Sequence, residues 1–124
     1  MKTDVREKYR FKQYEEIIFM IFVTVDNDAE ELRRLSDIIF GACPGSVVYE
    51  FMDAMLSVKY ICNNHVDIVV AKKKMRPVDG ATLKRVIQIH KSELPVCLFQ
   101  GDNMTDVCQR ICRRIYEKSD RCGK

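Results

Sequence analysis

Hydrophobic and polar positions alternate along this chain between two periods, and the changes of period mark its elements. Ile68-Val69-Val70-Ala71 is an uninterrupted run of small or β-branched apolar residues, which reads as a strand buried on both faces, since a half-exposed strand would alternate. The run Ile17 to Val25 reads the same way, Val47 to Tyr49 gives a short second strand, and Val96 to Phe99 gives a fourth. Between them the spacing changes to three and four. Leu32, Leu35, Ile38 and Ile39 mark a first helix ending at Gly41, with Asp26 or Asp28 as its cap and Glu30 and Glu31 suited to its dipole. Met52 to Cys62 reads as a second helix with Met55, Leu56 and Val58 to Ile61 inward. A third begins at Ala81 and turns Leu83, Val86, Ile87 and Ile89 inward, and Gln100 to Asn103 opens a last one carrying Val107, Ile111 and Ile115.

Strands alternating with helices at this spacing predict βαβ units with right-handed crossovers, hence one α/β domain around an open parallel sheet of order 2-1-3-4 with helices on both faces. In such sheets ligands and chemistry collect at the carboxyl ends of the strands. The central strand ends there on Lys72, followed by Lys73, Lys74, Met75, Arg76, Pro77, Val78, Asp79 and Gly80.

Composition narrows the classes. At 124 residues and 47% hydrophobic content the chain suits one packed domain. Its net charge of +3 is a mild bias, short of the basic patch or pI above about 9 expected of a nucleic-acid binder. The longest apolar run, Ile17 to Val25, is less than half of the roughly 20 residues that span a bilayer, and the charged leader lacks signal-peptide layout, so a cytoplasmic location is expected. Cysteines 43, 62, 97, 108, 112 and 122 form no Cys-x-x-Cys pair and read as reduced thiols. Cys108 and Cys112 are spaced to share a helix face and two zinc positions, but no paired His or Cys completes such a set.

The segment Asp67-Ile68-Val69-Val70-Ala71-Lys72-Lys73-Lys74-Met75-Arg76-Pro77-Val78-Asp79-Gly80 resembles the third strand and following loop of a response-regulator receiver domain, whose usual form runs Asp-hydrophobic(4)-Asp-x-x-Met-x-x-x-x-Gly. The acidic cluster after the first strand, Pro44-Gly45 before the second and Leu94-Pro95 before the fourth fall where that family has them. The resemblance covers about residues 20 to 112 and implies a flavodoxin-like fold of the CheY-like superfamily; the Met-Arg pair is similar to receivers attached to LytTR-type output domains. The expected layout is a charged leader over 1–16, short helix or disordered, a receiver-like domain over 17–118, and a tail over 119–124. A receiver continues into a fifth strand ending in Lys-Pro and a fifth helix, and the sequence after residue 112 shows neither.

By position, the resemblance puts Asp26 and Asn27 on the family's two metal-binding acids, Lys72 on the phosphoacceptor aspartate and Gln100 on its Ser or Thr; the final Lys has no counterpart. Lysine cannot form an acyl phosphate, its ammonium puts positive charge where Mg²⁺ would sit, and Gln100 lacks the hydroxyl that follows the phosphoryl oxygens. The implied protein is therefore a pseudo-receiver of a bacterial two-component or phosphorelay system, non-enzymatic, without Mg²⁺ or other cofactor and without phosphotransfer from a histidine kinase. Lys72 is expected to pair with Asp26, and Lys73, Lys74 and Arg76 to form a solvated loop. A missing fifth strand and helix would bare the edge of the fourth strand and apolar surface around Ile21 and Val23. The covers expected for it are the leader folding back with Tyr9, Phe11 and Tyr14, the extended last helix, or a second copy or protein partner, the last at Val96, Leu98, Met104 and Val107, with no membrane and no direct nucleic-acid contact. The alternatives are a regulatory protein that binds nucleic acid through the basic loop, or a truncated response regulator without activity.

Overall fold

In a computed structural model the described residues are 20–111 and 113, so the leader 1–16, the start of the first predicted strand, Cys112, Ile115, Cys122 and the tail lie outside them. The elements run β1 (Ile21–Val25), α1 (Ala29–Ala42), β2 (Val47–Phe51), α2 (Ala54–Asn63), β3 (Ile68–Lys72), α3 (Gly80–His90) and β4 (Val96–Phe99). A 3₁₀ turn over Gly101–Asn103 then leads into α4, helical over 104–111. The strands form one parallel sheet in the order β2-β1-β3-β4, as the sequence pattern predicts.

Strand alternation sorts the core into two layers. Val23, Val25, Val69, Ala71 and Val96 point to one face, where Val58 and Ile61 of α2 and Leu83 and Ile87 of α3 meet them. Phe22, Ile68, Val70 and Phe99 point to the other, against Leu35 and Ile39 of α1 and Met104, Val107, Cys108 and Ile111 of α4. The first three helix entries are each fixed by an aspartate: Asp28 caps α1 through the amides of Glu30 and Glu31, Asp53 caps α2, and Asp79 caps α3. Asp28, not Asp26, is thus the first cap.

Several expectations are corrected. α4 packs beside α1 and is thus the one of the three expected covers that lies on that face; Val23, expected there, is instead fully buried on the opposite face, and Ile21 is half-buried. Val96, Met104 and Val107, expected at an interaction surface, are core residues, and Leu98 is partly buried against the same core as Val96. The phase of α2 also differs, because its inward residues are Ala54, Ser57, Val58 and Ile61 while Met55 and Leu56 face out. Ile89 of α3 is 78% exposed. No helix of the described residues is long and apolar enough to cross a membrane.

Candidate functional site

Strand register brings the predicted site together before any side chain is considered. Val25 pairs with Ala71 and Lys72 pairs with Phe99, so Asp26, Lys72 and Gln100 emerge side by side at the carboxyl ends of β1, β3 and β4. The chain turns from β1 leftward to β2 and then back to β3, which makes the β1–β3 gap the switch point where open α/β sheets place their sites.

Asp26 continues the line of β1 and is wholly buried. Its Oδ1 accepts from the Asp28 amide at 3.0 Å, while Oδ2 has no conventional partner. Burial, and then the neighbouring Glu31 carboxylate, push its pKa from the ordinary 3.8 up to about 6, against the pull of the Asp28 amide and of Lys72. A proton on Oδ2 lets it donate to Glu31, which satisfies the otherwise orphaned oxygen. Glu31 moves the other way: the bonds from Asp26 and then from Lys72 hold its carboxyl below the usual range.

Lys72 does not bond Asp26, the partner expected from sequence. Its Nζ donates to Glu31 Oε1 at 2.8 Å, and this bond, despite some desolvation, raises the lysine pKa. Asp26 feels Lys72 only through space. The reason is geometric: Asp26 is sunk at the strand end, whereas Asp28 starts α1 so that Glu31, in its first turn, overhangs the strand ends and meets the ammonium. Sequence reading assigned Glu31 only to the helix dipole. The signal that could have found it is its place in the first turn of a helix leaving the switch point, three residues after the cap.

Asn27 uses both ends of its amide. Nδ2 donates to Met52 O and Oδ1 accepts from the Arg76 amide, each at 3.0 Å, so one side chain fastens the loops after β1, β2 and β3. A carboxylate there could accept from Arg76 but could not donate to Met52. Gln100 is exposed and its backbone N–H donates to Asn103 Oδ1 at 2.9 Å, opening the turn before α4. Lys73, Lys74 and Arg76 are exposed around them. The loop is seated by Gly80, whose amide donates to Lys73 O at 2.8 Å. A Cβ at Gly80 would lie 2.5 Å from Lys72 O and 2.9 Å from Lys73 Cα, so only glycine allows this approach.

Among the described residues no group of three or more His, Cys, Asp or Glu side chains is arranged to hold a metal ion. Cys43 and Cys108 are buried in the α1–α4 layer, and burial pushes the Cys108 thiol up to about 12, with Cys97 and Cys43 nearby. His65 lies 2.8 Å from Asp67 Oδ1 at the opposite pole, where Asp67 Oδ2 accepts from the Ile21 amide.

No protein-family model matches the sequence, and no curated protein matches it. Solved structures do resemble the fold. The signal receiver domain of an HD domain-containing protein from Pseudomonas fluorescens Pf-5 superposes with a TM-score of 0.66 at 17% identity, over 84% of this chain and 99% of its own. A response regulator receiver domain protein from Clostridium thermocellum gives 0.59 at 12%, over 82% and 92%. The response regulator domain of Thermotoga maritima CheB gives 0.59 at 17%, over 84% and 96%.

Proposed function

From a fold that is a receiver's and a switch point closed by an ion pair, we propose that this chain is a pseudo-receiver: a signalling module that works by protein contact and neither accepts phosphate nor binds Mg²⁺. The observation that carries the reading is Lys72 at the acceptor position, with its ammonium held by Glu31 over the buried Asp26.

The donor chemistry supports it. Mg²⁺ asks for hard oxygen ligands in near-ideal octahedral geometry. Here Asp26 is sunk at the strand end with one oxygen already accepting from the Asp28 amide, Asn27 has its amide oxygen and nitrogen in use, and Asp28 is engaged as a helix cap. Lys72 supplies the positive charge a metal would bring, and supplies it permanently. In a working receiver charge at this point is gained and lost; here the acceptor position carries the fixed positive charge of Lys72. Such a module signals by being present and bound rather than by being modified.

Incubation with Mg²⁺ and acetyl phosphate or beryllofluoride, followed by intact mass measurement and ¹⁹F spectra, tests the proposal. No phosphoprotein and no bound fluoride signal is expected. A phosphoryl adduct, or a beryllofluoride resonance lost on Lys72→Ala, would overturn it.

A further inference from the structure

The exposed apolar residues are not scattered. Tyr49, Met52, Met55 and Leu56 are each 41–57% exposed and lie along β2 and the start of α2; Phe40, on α1 across the sheet, and Ile89 are the other large exposed apolar side chains among the described residues. At their centre Tyr49 and Phe51 of β2 stack obliquely on Tyr60 of α2, with ring centroids 5.1 and 5.6 Å apart. A groove of about 370 Å³ opens beside them between Phe51, Leu56, Lys59 and Tyr60. Exposed apolar clusters of this kind mark contact surfaces.

β2 is also an edge strand, pairing among the described residues with β1 alone. Its sequence, Val47-Val48-Tyr49-Glu50-Phe51, contains neither the lysine nor the proline that most often guards an edge against pairing, and its single charge is Glu50. The charges on this flank are of both signs, Glu50 and Asp53 against Lys59, and both carboxylates already accept hydrogen bonds within the chain, Glu50 from Ser36 and Asp53 as the α2 cap.

We infer that the chain associates with a second copy of itself through the free edge of β2, the two strands running antiparallel about a two-fold axis at Tyr49. That register suits the sequence. Val47 stands opposite the partner's Phe51 and Tyr49 opposite the partner's Tyr49 on the α2 face, both favourable aromatic or β-branched pairings. On the α1 face Val48 stands opposite the partner's Glu50, so no like charges meet, whereas a register centred on Glu50 would oppose two carboxylates. The contact is isologous and closes at two copies, unlike a β2-to-β4 contact, which would propagate. This inference rests on the module acting by protein contact, and it relocates the expected contact from β4, whose Val96 is interior, to the opposite edge.

The test is sedimentation velocity of the full chain from micromolar to submillimolar concentration, with hydrogen exchange read at both ends. A concentration-dependent dimer is expected, with slowed exchange of the outward β2 amides in the dimer. Tyr49→Lys and Leu56→Glu should each weaken it by about tenfold or more, about 1.4 kcal/mol, while Ile89→Glu leaves it unchanged. A monomer throughout the range, or a dimer indifferent to both substitutions, overturns the inference. So does a monomer whose outward β2 amides are already protected, because another part of the same chain then covers the edge. If a variant misfolds, exchange on the unaltered protein still decides. None of these results bears on phosphate acceptance, which the acetyl phosphate experiment reads separately.

Discussion

Lys72 reaches past the carboxylate nearest to it in register and bonds Glu31 at 2.8 Å, while the buried Asp26 beneath them keeps one oxygen without a hydrogen-bond partner among the described residues. Both members of the ion pair are about three-quarters buried, with side chains 25% and 28% exposed. Partial burial lifts the pair above the negligible worth of most surface bridges. Lys72→Ala should cost about 0.5–2 kcal/mol. A double-mutant cycle with Glu31→Gln, read by urea denaturation at neutral pH, should return a coupling of about 0.5–1.5 kcal/mol; additive effects would show that the two side chains do not depend on each other.

Asp26 sets a pH dependence of opposite sign to the usual carboxylate. Its folded pKa, about 6, lies above the ordinary 3.8, so the folded state binds the proton more tightly. The stability this gives is fully present below 3.8 and is lost as pH rises through about 6. Glu31, held low, contributes stability that is present above its ordinary 4.5 and lost as pH falls through its folded pKa. The shift of Asp26 alone corresponds to about 3 kcal/mol, part of which Glu31 offsets. Asp26→Asn, which can donate to Glu31 at every pH, should therefore stabilise the fold by about 1–2 kcal/mol at pH 7–8. Urea midpoints across pH 4–8 should fall for the parent and stay nearly level for the variant.

Gly80→Ala tests the close approach beneath the lysine loop. The added carbon would strike backbone at Lys72 and Lys73, which cannot give as a side-chain end would. A loss of about 1–3 kcal/mol is expected. The Lys73 amide, which donates to Phe99 O at 2.7 Å, should exchange faster with solvent; an unchanged melt would show that the loop shifts freely.

Asn27→Asp separates the two reasons an amide stands after β1. The bond from the Arg76 amide survives and the one to Met52 O is lost, so about 0.5–1.5 kcal/mol should go. Added Mg²⁺ should not restore the denaturation midpoint while Lys72 remains.

The strand order was legible because Ile68 to Ala71 and Val96 to Phe99 carry a pattern that only a doubly covered strand tolerates, and the identity of residue 72 follows from counting along it. The partner of Lys72 was not legible, since it depends on how far Asp26 sinks and how α1 overhangs it, which no local spacing encodes. The second helix misled for a different reason. Ala54 to Val58 and Tyr60 to Cys62 are nearly all apolar, so no polar stripe sets the phase, and the deciding residue is a serine. Ser57 is fully buried because its hydroxyl donates to Ala54 O at 2.6 Å, and it turns Met55 and Leu56 outward. Ile89 failed more simply, lying one position off the Leu83–Ile87 stripe.

The seat of α4 beside α1 limits how this sheet can grow. A crossover from β4 to a further parallel strand on its outer side keeps the common right hand only if its helix runs on the face that holds α2 and α3. α4 runs on the other face. Any polypeptide that lengthens the sheet at β4 in the parallel sense must therefore come from elsewhere than the exit of α4, or take a left-handed path that proteins almost never use. Parallel growth by a crossover through α4 is closed by chirality, independently of whether that edge carries any guarding residue.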